Sequence, residues 1–247
     1  IAGIITLAIA RWAGQSLRLT PAQWRLTILF GICQNAIYLG LNFVAMQWVE
    51  ASLAAIIAAP LPLWVGMVGW IIWRETLSRL AIVGLIGGFA GVALIMGTRL
   101  QAGVDPLGVI LCGIGVLALT FATLAVRGAS AGGNLLTVVG MQMLVGGAIL
   151  TVPALFETKP VDWAPTLFAA FAYTIFVPGI FATILWFTLV NRIGAVRAAT
   201  FHFLNPFLGV AVAAVLLGET LGPLDVLGVL VITLSILAVQ RARVTNS

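Results

Sequence analysis

Residues Ala51–Leu77 read ASLAAIIAAPLPLWVGMVGWIIWRETL, and residues Ala195–Leu221 read AVRAATFHFLNPFLGVAVAAVLLGETL. Laid over one another at an offset of 144 residues, the two stretches need no gap. Ala51 meets Ala195, Ala54–Ala55 meets Ala198–Ala199, Pro62 meets Pro206, and Glu75-Thr76-Leu77 meets Glu219-Thr220-Leu221. The register holds outside them too: Gly84 meets Gly228, Pro21 meets Pro165, Leu41 meets Leu185 and Phe43 meets Phe187. Apolar matches are cheap in such a sequence. Paired prolines and a repeated Glu-Thr-Leu at one register are not, and they point to a duplicated segment.

The composition says what is duplicated. Of 247 residues, 62% are apolar and 8% are charged, whereas soluble domains are about a quarter charged. A chain with so little polar material cannot cover a water-facing surface, so it reads as an all-α integral membrane protein. Enzymes with solvent-filled active sites are disfavoured. The net charge of +5 comes without a basic run, so nucleic acid is not an expected partner. Cys33 and Cys112 lack metal-ligand spacing and read as small buried hydrophobes. No metal or cofactor is expected.

A helix crossing the hydrocarbon core needs about 20 mostly apolar residues. The runs predict a truncated span at 1–11, then spans near 24–46, 51–73, 79–98, 106–126, 134–155, 165–190, 195–217 and 223–240. Numbering the connecting loops alternately puts Arg11, Arg18, Arg25, Arg74, Arg79, Arg127, Arg192, Arg197, Arg241 and Arg243 on one side, and only Arg99 and Lys159 on the other. By the positive-inside rule the arginine-rich side, with the C-terminus, is cytoplasmic. Glu50, Asp105, Glu157, Asp162, Glu219 and Asp225 fall outside, leaving Glu75 inside.

The matched corners at Glu75 and Glu219 thus lie on opposite sides, which makes the copies inverted. Inverted repeats are a transporter architecture, with the substrate site at the repeat interface near the midplane. The expected fold is a ten-helix bundle of two inverted five-helix repeats, 1–98 and 99–247. Extrapolating the register expects about 38 residues, one helix and half of another, before Ile1.

Ten helices in two inverted halves resemble the drug/metabolite transporter superfamily, specifically its EamA family. The resemblance rests on the corners Arg74-Glu75-Thr76-Leu77 and Gly218-Glu219-Thr220-Leu221, on the Gly194-Ala195-x-x-Ala198 helix start, and on the proline within that helix. Within the family the chain looks most like the YddG-type amino-acid exporters. The first corner carries Arg74 where the family pattern has Gly, and Asn205 stands where many relatives carry Glu. The resemblance implies export of aromatic or other hydrophobic amino acids across a bacterial inner membrane.

Candidate substrate-binding residues come from polar and aromatic groups placed well inside spans. Trp64 follows Pro60 and Pro62, which withdraw donors from the carbonyls of Ile56 and Ala58; it is either an aromatic wall of a cavity or a core residue packed at a kink. Its counterpart is the cluster Phe201, His202, Asn205 and Pro206, with Pro206 freeing the carbonyl of His202. His202 is the chain's one histidine, and an ionisable group inside a span usually points into the bundle or a watery cavity. Asn35, Tyr38 and Asn42 fall at i, i+3 and i+7, one helical face, which either lines the cavity or ties helices together. Tyr173 lies on the repeat mate of that helix. Gln142 reads as helix glue, and the pair Gly84-x-x-x-Gly88 and Gly87-x-x-x-Gly91 as a stripe for close helix packing.

No acidic or basic side chain falls mid-span. A permanent cation or a phosphate ester would lack its counter-charge there, which leaves small neutral or zwitterionic metabolites. The expected mechanism is alternating access by facilitated diffusion, with hinges at Pro60, Pro62 and Pro206, in a monomer or weak dimer surrounded by membrane lipid. A broad exporter of lipophilic drugs and a proton-coupled antiporter using His202 are the alternatives. A non-transporting scaffold is the least favoured reading, since it gains nothing obvious from inverted symmetry.

Overall fold

The structure, a computed structural model, describes residues 1–49, 54, 57–74, 76–97, 105–129, 132–157, 164–205, 208, 223–242 and 244–245. Its α-helices in chain order are α1 (Ala2–Trp12), α2 (Pro21–Phe30), α3 (Gly40–Ala45), α4 (Leu61–Trp73), α5 (Arg79–Gly97), α6 (Pro106–Ala129), α7 (Leu135–Ala154), α8 (Pro165–Thr174), α9 (Thr183–Ile193), α10 (Ala195–Ala199) and α11 (Pro223–Arg241). Among the described residues, four continuous helical stretches are long and apolar enough to cross a membrane: Pro21–Ala45, Pro106–Val126, Leu135–Ala154 and Pro165–Ile193. The protein is an all-α membrane protein. Two short strands, Thr76–Leu77 and Val244–Thr245, pair antiparallel as a tether.

Helix boundaries recur at the 144-residue spacing. Pro21 and Pro165 each occupy the first turn of a ten-residue helix, where a missing N–H costs nothing. Both helices pass directly into π-helix, over Gly31–Leu39 and Ile175–Ala182. Composition gives no hint of this change of winding; both stretches read as ordinary continuous spans. The 19-residue helices α5 and α11 likewise begin at Arg79 and Pro223.

The chain divides into two compact units, Ile1–Gly40 with Phe121–Ala195, and Leu41–Thr120 with Val196–Ser247. Each draws on sequence from both sides of residue 98.

In the first unit, α1 packs on α7 through backbone contact: a Cβ at Gly3 would lie 2.8 Å from the carbonyl oxygen of Gly140. Phe30 and Phe187, both buried, meet edge to face with ring centroids 4.7 Å apart. Loop side chains finish the helix ends. Gln15 Oε1 accepts from the N–H groups of Leu136 and Thr137 at 3.0 and 3.3 Å, capping α7 from a distant loop. Thr20 Oγ1 accepts from Gln23 N at 3.3 Å while Gln23 Oε1 accepts from Thr20 N at 3.0 Å, a reciprocal capping box. Gln23 Nε2 also donates to Asn134 Oδ1 at 3.1 Å. Thr20→Ala is therefore expected to cost about 1 kcal/mol, read as a lowered Tm of the purified protein, with Thr20→Ser nearly unchanged. Equal Tm for Ala and wild type would show that the cap contributes nothing.

In the second unit, α5 and α11 run antiparallel along a glycine stripe. Gly84 faces Ser235 and Val239, Gly87 faces Ser235, and Gly91 faces Ile232 and Gly228. Gly88 points elsewhere, onto the ring of Phe203. The expected stripe thus serves two neighbours at once. At one end Gln240 Nε2 donates to the carbonyl of Arg197 at 3.0 Å, and the Arg197 guanidinium donates to the carbonyl of Ala242. The strand pairing joins the 76–77 corner to the C-terminal segment, so Arg74, Arg79, Arg197 and Arg241 gather at that end. Cys112 is buried with Ala45, Val49 and Ala54, the packing role expected of it.

Candidate functional site

The candidate residues divide between the units. The second holds Asn42, Pro60, Pro62, Trp64, Phe201, His202 and Asn205; the first holds Asn35, Tyr38 and Tyr173. Pro206 lies outside the described residues.

In the second unit the two prolines do what their chemistry dictates. Residues 59–60 form a turn, and α4 starts afresh at Leu61 with Pro60 as its N-cap and Pro62 in its first turn. The carbonyl of Pro60 accepts from the N–H groups of Leu63 and Trp64 at 2.9 and 3.1 Å. Trp64 is thereby held in the first turn of the restarted helix, 36% exposed.

Helix α4 packs against the 3-10 turn Thr200–Phe203, bringing together segments well over a hundred residues apart. In a 3-10 helix residues i and i+3 eclipse. Thr200 and Phe203 accordingly share the buried side, leaving Phe201 exposed and His202 half-buried. His202 makes a hydrogen bond to the backbone of Ala199, within its own turn. Asn205, three residues on, is exposed.

In the first unit the expected polar face comes out differently. Reading Asn35, Tyr38 and Asn42 as one face assumes the α-helical period, and Gly31–Leu39 is π-helical. Asn35 turns to α7: its Nδ2 donates to Gln142 Oε1 and, at 3.2 Å, to the Gln142 carbonyl. Gln142 is fully buried, and its Nε2 has no partner among the described residues. Gly31 and Gly146 let the helices approach this closely, since a Cβ at Gly31 would lie 2.5 Å from the Gln142 carbonyl oxygen, and one at Gly146 would strike Asn35. Neither glycine repeats at four-residue spacing on its own helix, so no small-residue stripe announces them. The signal that would have found them is reciprocal, Gly31-x-x-x-Asn35 against Gln142-x-x-x-Gly146. Tyr38 is half-buried, and Tyr173 is 62% exposed on α8.

A polar cleft of about 830 Å³ also opens in the first unit, between the 13–20 loop and the start of α7, lined by Gln15, Ser16, Arg18, Thr20, Gln23 and Asn134 among others. Among the described residues no group of three or more His, Cys, Asp or Glu side chains comes together to hold a metal. In the helices described, every Asp, Glu, Lys and Arg lies within five residues of a helix end. The interior chemistry consists of rings, amides, hydroxyls and one imidazole.

Comparison with known proteins agrees with this construction. The EamA-like transporter family matches residues 1–97 and 106–240, and the chain belongs to it. It is 24% identical over 243 residues to the uncharacterized transporter YvbV of Bacillus subtilis (strain 168), covering 97% of this chain and 79% of that one. It is 27% identical over 251 residues to the uncharacterized inner membrane transporter YedA of Escherichia coli (strain K12), covering 98% and 79%. A solved crystal structure superposes with a TM-score of 0.79 at 18% identity, over 96% of this chain and 82% of the other; at that identity the likeness concerns the fold.

Proposed function

We propose that this EamA-like transporter carries small neutral or zwitterionic metabolites, aromatic and hydrophobic amino acids above all, outward across a bacterial inner membrane. The observation that carries the reading is that the described membrane-length stretches carry charge only near their ends, at Arg25 and Arg192. A substrate with a large net charge would enter without a partner, and desolvating it would cost far more than rings and amides return. Trp64 and Phe201 offer aromatic surface, and Asn205 and Asn42 offer amides to a zwitterion.

Segments 1–98 and 99–247 act as inverted copies, with the turn at Pro60–Pro62 and its counterpart at Pro206 as hinges. The arginine-rich ends and the C-terminus face the cytoplasm. No carboxylate lies in the middle of a described helix to relay protons, which favours facilitated diffusion over proton exchange.

Counterflow of labelled amino acids in proteoliposomes tests this. A neutral aromatic amino acid is expected to exchange, with a rate insensitive to an imposed pH gradient. Transport of an organic anion, or of lipophilic dyes alone, would overturn the substrate class. Steep dependence on the pH gradient would overturn the mechanism. Trp64→Ala and His202→Ala are each expected to slow counterflow about fivefold to tenfold, about 1 kcal/mol of binding or positioning. Trp12→Ala, at a 93% exposed position, is the control expected to leave it unchanged.

A further inference from the structure

The second unit carries an open apolar groove of about 340 Å³ that the transport reading does not use. Leu63, Gly66, Met67 and Trp70 line it from α4 at i, i+3, i+4 and i+7, one continuous stripe, and Leu77 and Leu85 face them. The stripe ends at the 74–79 corner, where Arg74 and Arg79 flank Glu75 and leave a net positive charge.

Arg74 is unusual in its backbone. It ends α4 in the left-handed conformation, φ 53°, the one non-glycine residue with positive φ among those described. That conformation crowds the Cβ of any L residue, and glycine adopts it freely. The equivalent position 144 residues on holds glycine, Gly218. Arg74 thus places an exposed guanidinium-bearing side chain at the end of the stripe.

We infer that this groove and the Arg74–Arg79 corner form a binding site for an anionic glycerophospholipid of the arginine-side leaflet, one acyl chain lying along Leu63–Trp70 and the phosphate at the guanidinium groups. The charge complementarity chooses this occupant. A lipid facing an arginine-rich protein end is attracted when its headgroup carries net negative charge, and a guanidinium bonds phosphate oxygens in fork geometry. Trp70, 58% exposed beside the corner, suits the headgroup boundary where aromatic rings gather.

The test is delipidated protein titrated with phosphatidylglycerol or phosphatidylcholine, with bound lipid counted by native mass spectrometry and stability followed as Tm. Phosphatidylglycerol is expected to bind about tenfold more tightly than phosphatidylcholine and to raise Tm. Arg74→Gly relieves the backbone and removes the guanidinium, and the preference for phosphatidylglycerol is expected to be lost with the fold intact. Met67→Trp, which fills the groove, is expected to weaken phosphatidylglycerol binding with the fold intact. Equal binding of the two lipids, or an Arg74→Gly variant that keeps the preference, would overturn the inference. So would inorganic phosphate stabilising the protein as well as the lipid does, because the groove would then play no part.

Discussion

A Gly84→Leu variant is expected to yield almost no folded protein after detergent extraction. A Cβ at Gly84 would sit 2.8 Å from Val239 Cγ2 and 2.9 Å from the carbonyl oxygen of Ser235. Backbone cannot swing aside as a side chain can, so α5 and α11 would have to part. Lipid supplies no hydrophobic force to bring helices back together, which leaves packing to hold them. Parting the seam also uncovers Ile232 and Val239, both 1% exposed. Overpacking alone costs about 1–3 kcal/mol, and the lost seam adds to it. Gly113→Leu is the control: nothing lies within 4 Å of a Cβ there, and that variant is expected to elute as wild type does. A monodisperse Gly84→Leu peak with unchanged Tm would mean the seam does not hold the unit together.

This contrast shows what could be read in advance. Span positions and the 144-residue register rest on hydrophobicity and on prolines, both local properties of the chain. The Gly84–Gly91 stripe was legible because four glycines repeat on one helix. Which helix it meets was not, because apolar side chains facing lipid and those facing a neighbour look alike. The compact units therefore cut across the sequence repeat, a grouping that no run of residues announces.

The local geometry of the candidate residues was legible to a similar depth. Prolines located the broken helix and placed Trp64 in its restart. The partner turn bearing His202 was found through the same register, but its 3-10 winding was not, and that winding decides that Phe201 is exposed and Phe203 buried. The π-helical stretches were invisible for a related reason: α and π segments bury the same kinds of residue, so only the backbone distinguishes them.

Asn35 is where the two readings of a polar face can be separated. Asn35→Leu leaves both polar atoms of a fully buried Gln142 without a partner among the described residues. Stranding a buried amide costs about 1–3 kcal/mol, so this variant is expected to lose several degrees of Tm and most of its transport. Removing both partners is different in kind, since an apolar pair of similar shape can be nearly neutral. Asn35→Leu combined with Gln142→Met is therefore expected to recover most of the Tm. Transport then discriminates. If Asn35 is only a joint between the π-helical turn and α7, counterflow returns together with stability. If its amide also contacts the substrate, the double variant is stable and inactive. A single Asn35→Leu variant as stable as wild type would sink the joint itself. Recovery of both quantities would confine the substrate amides to Asn42 and Asn205, and with them the polar part of recognition to the unit that carries Trp64.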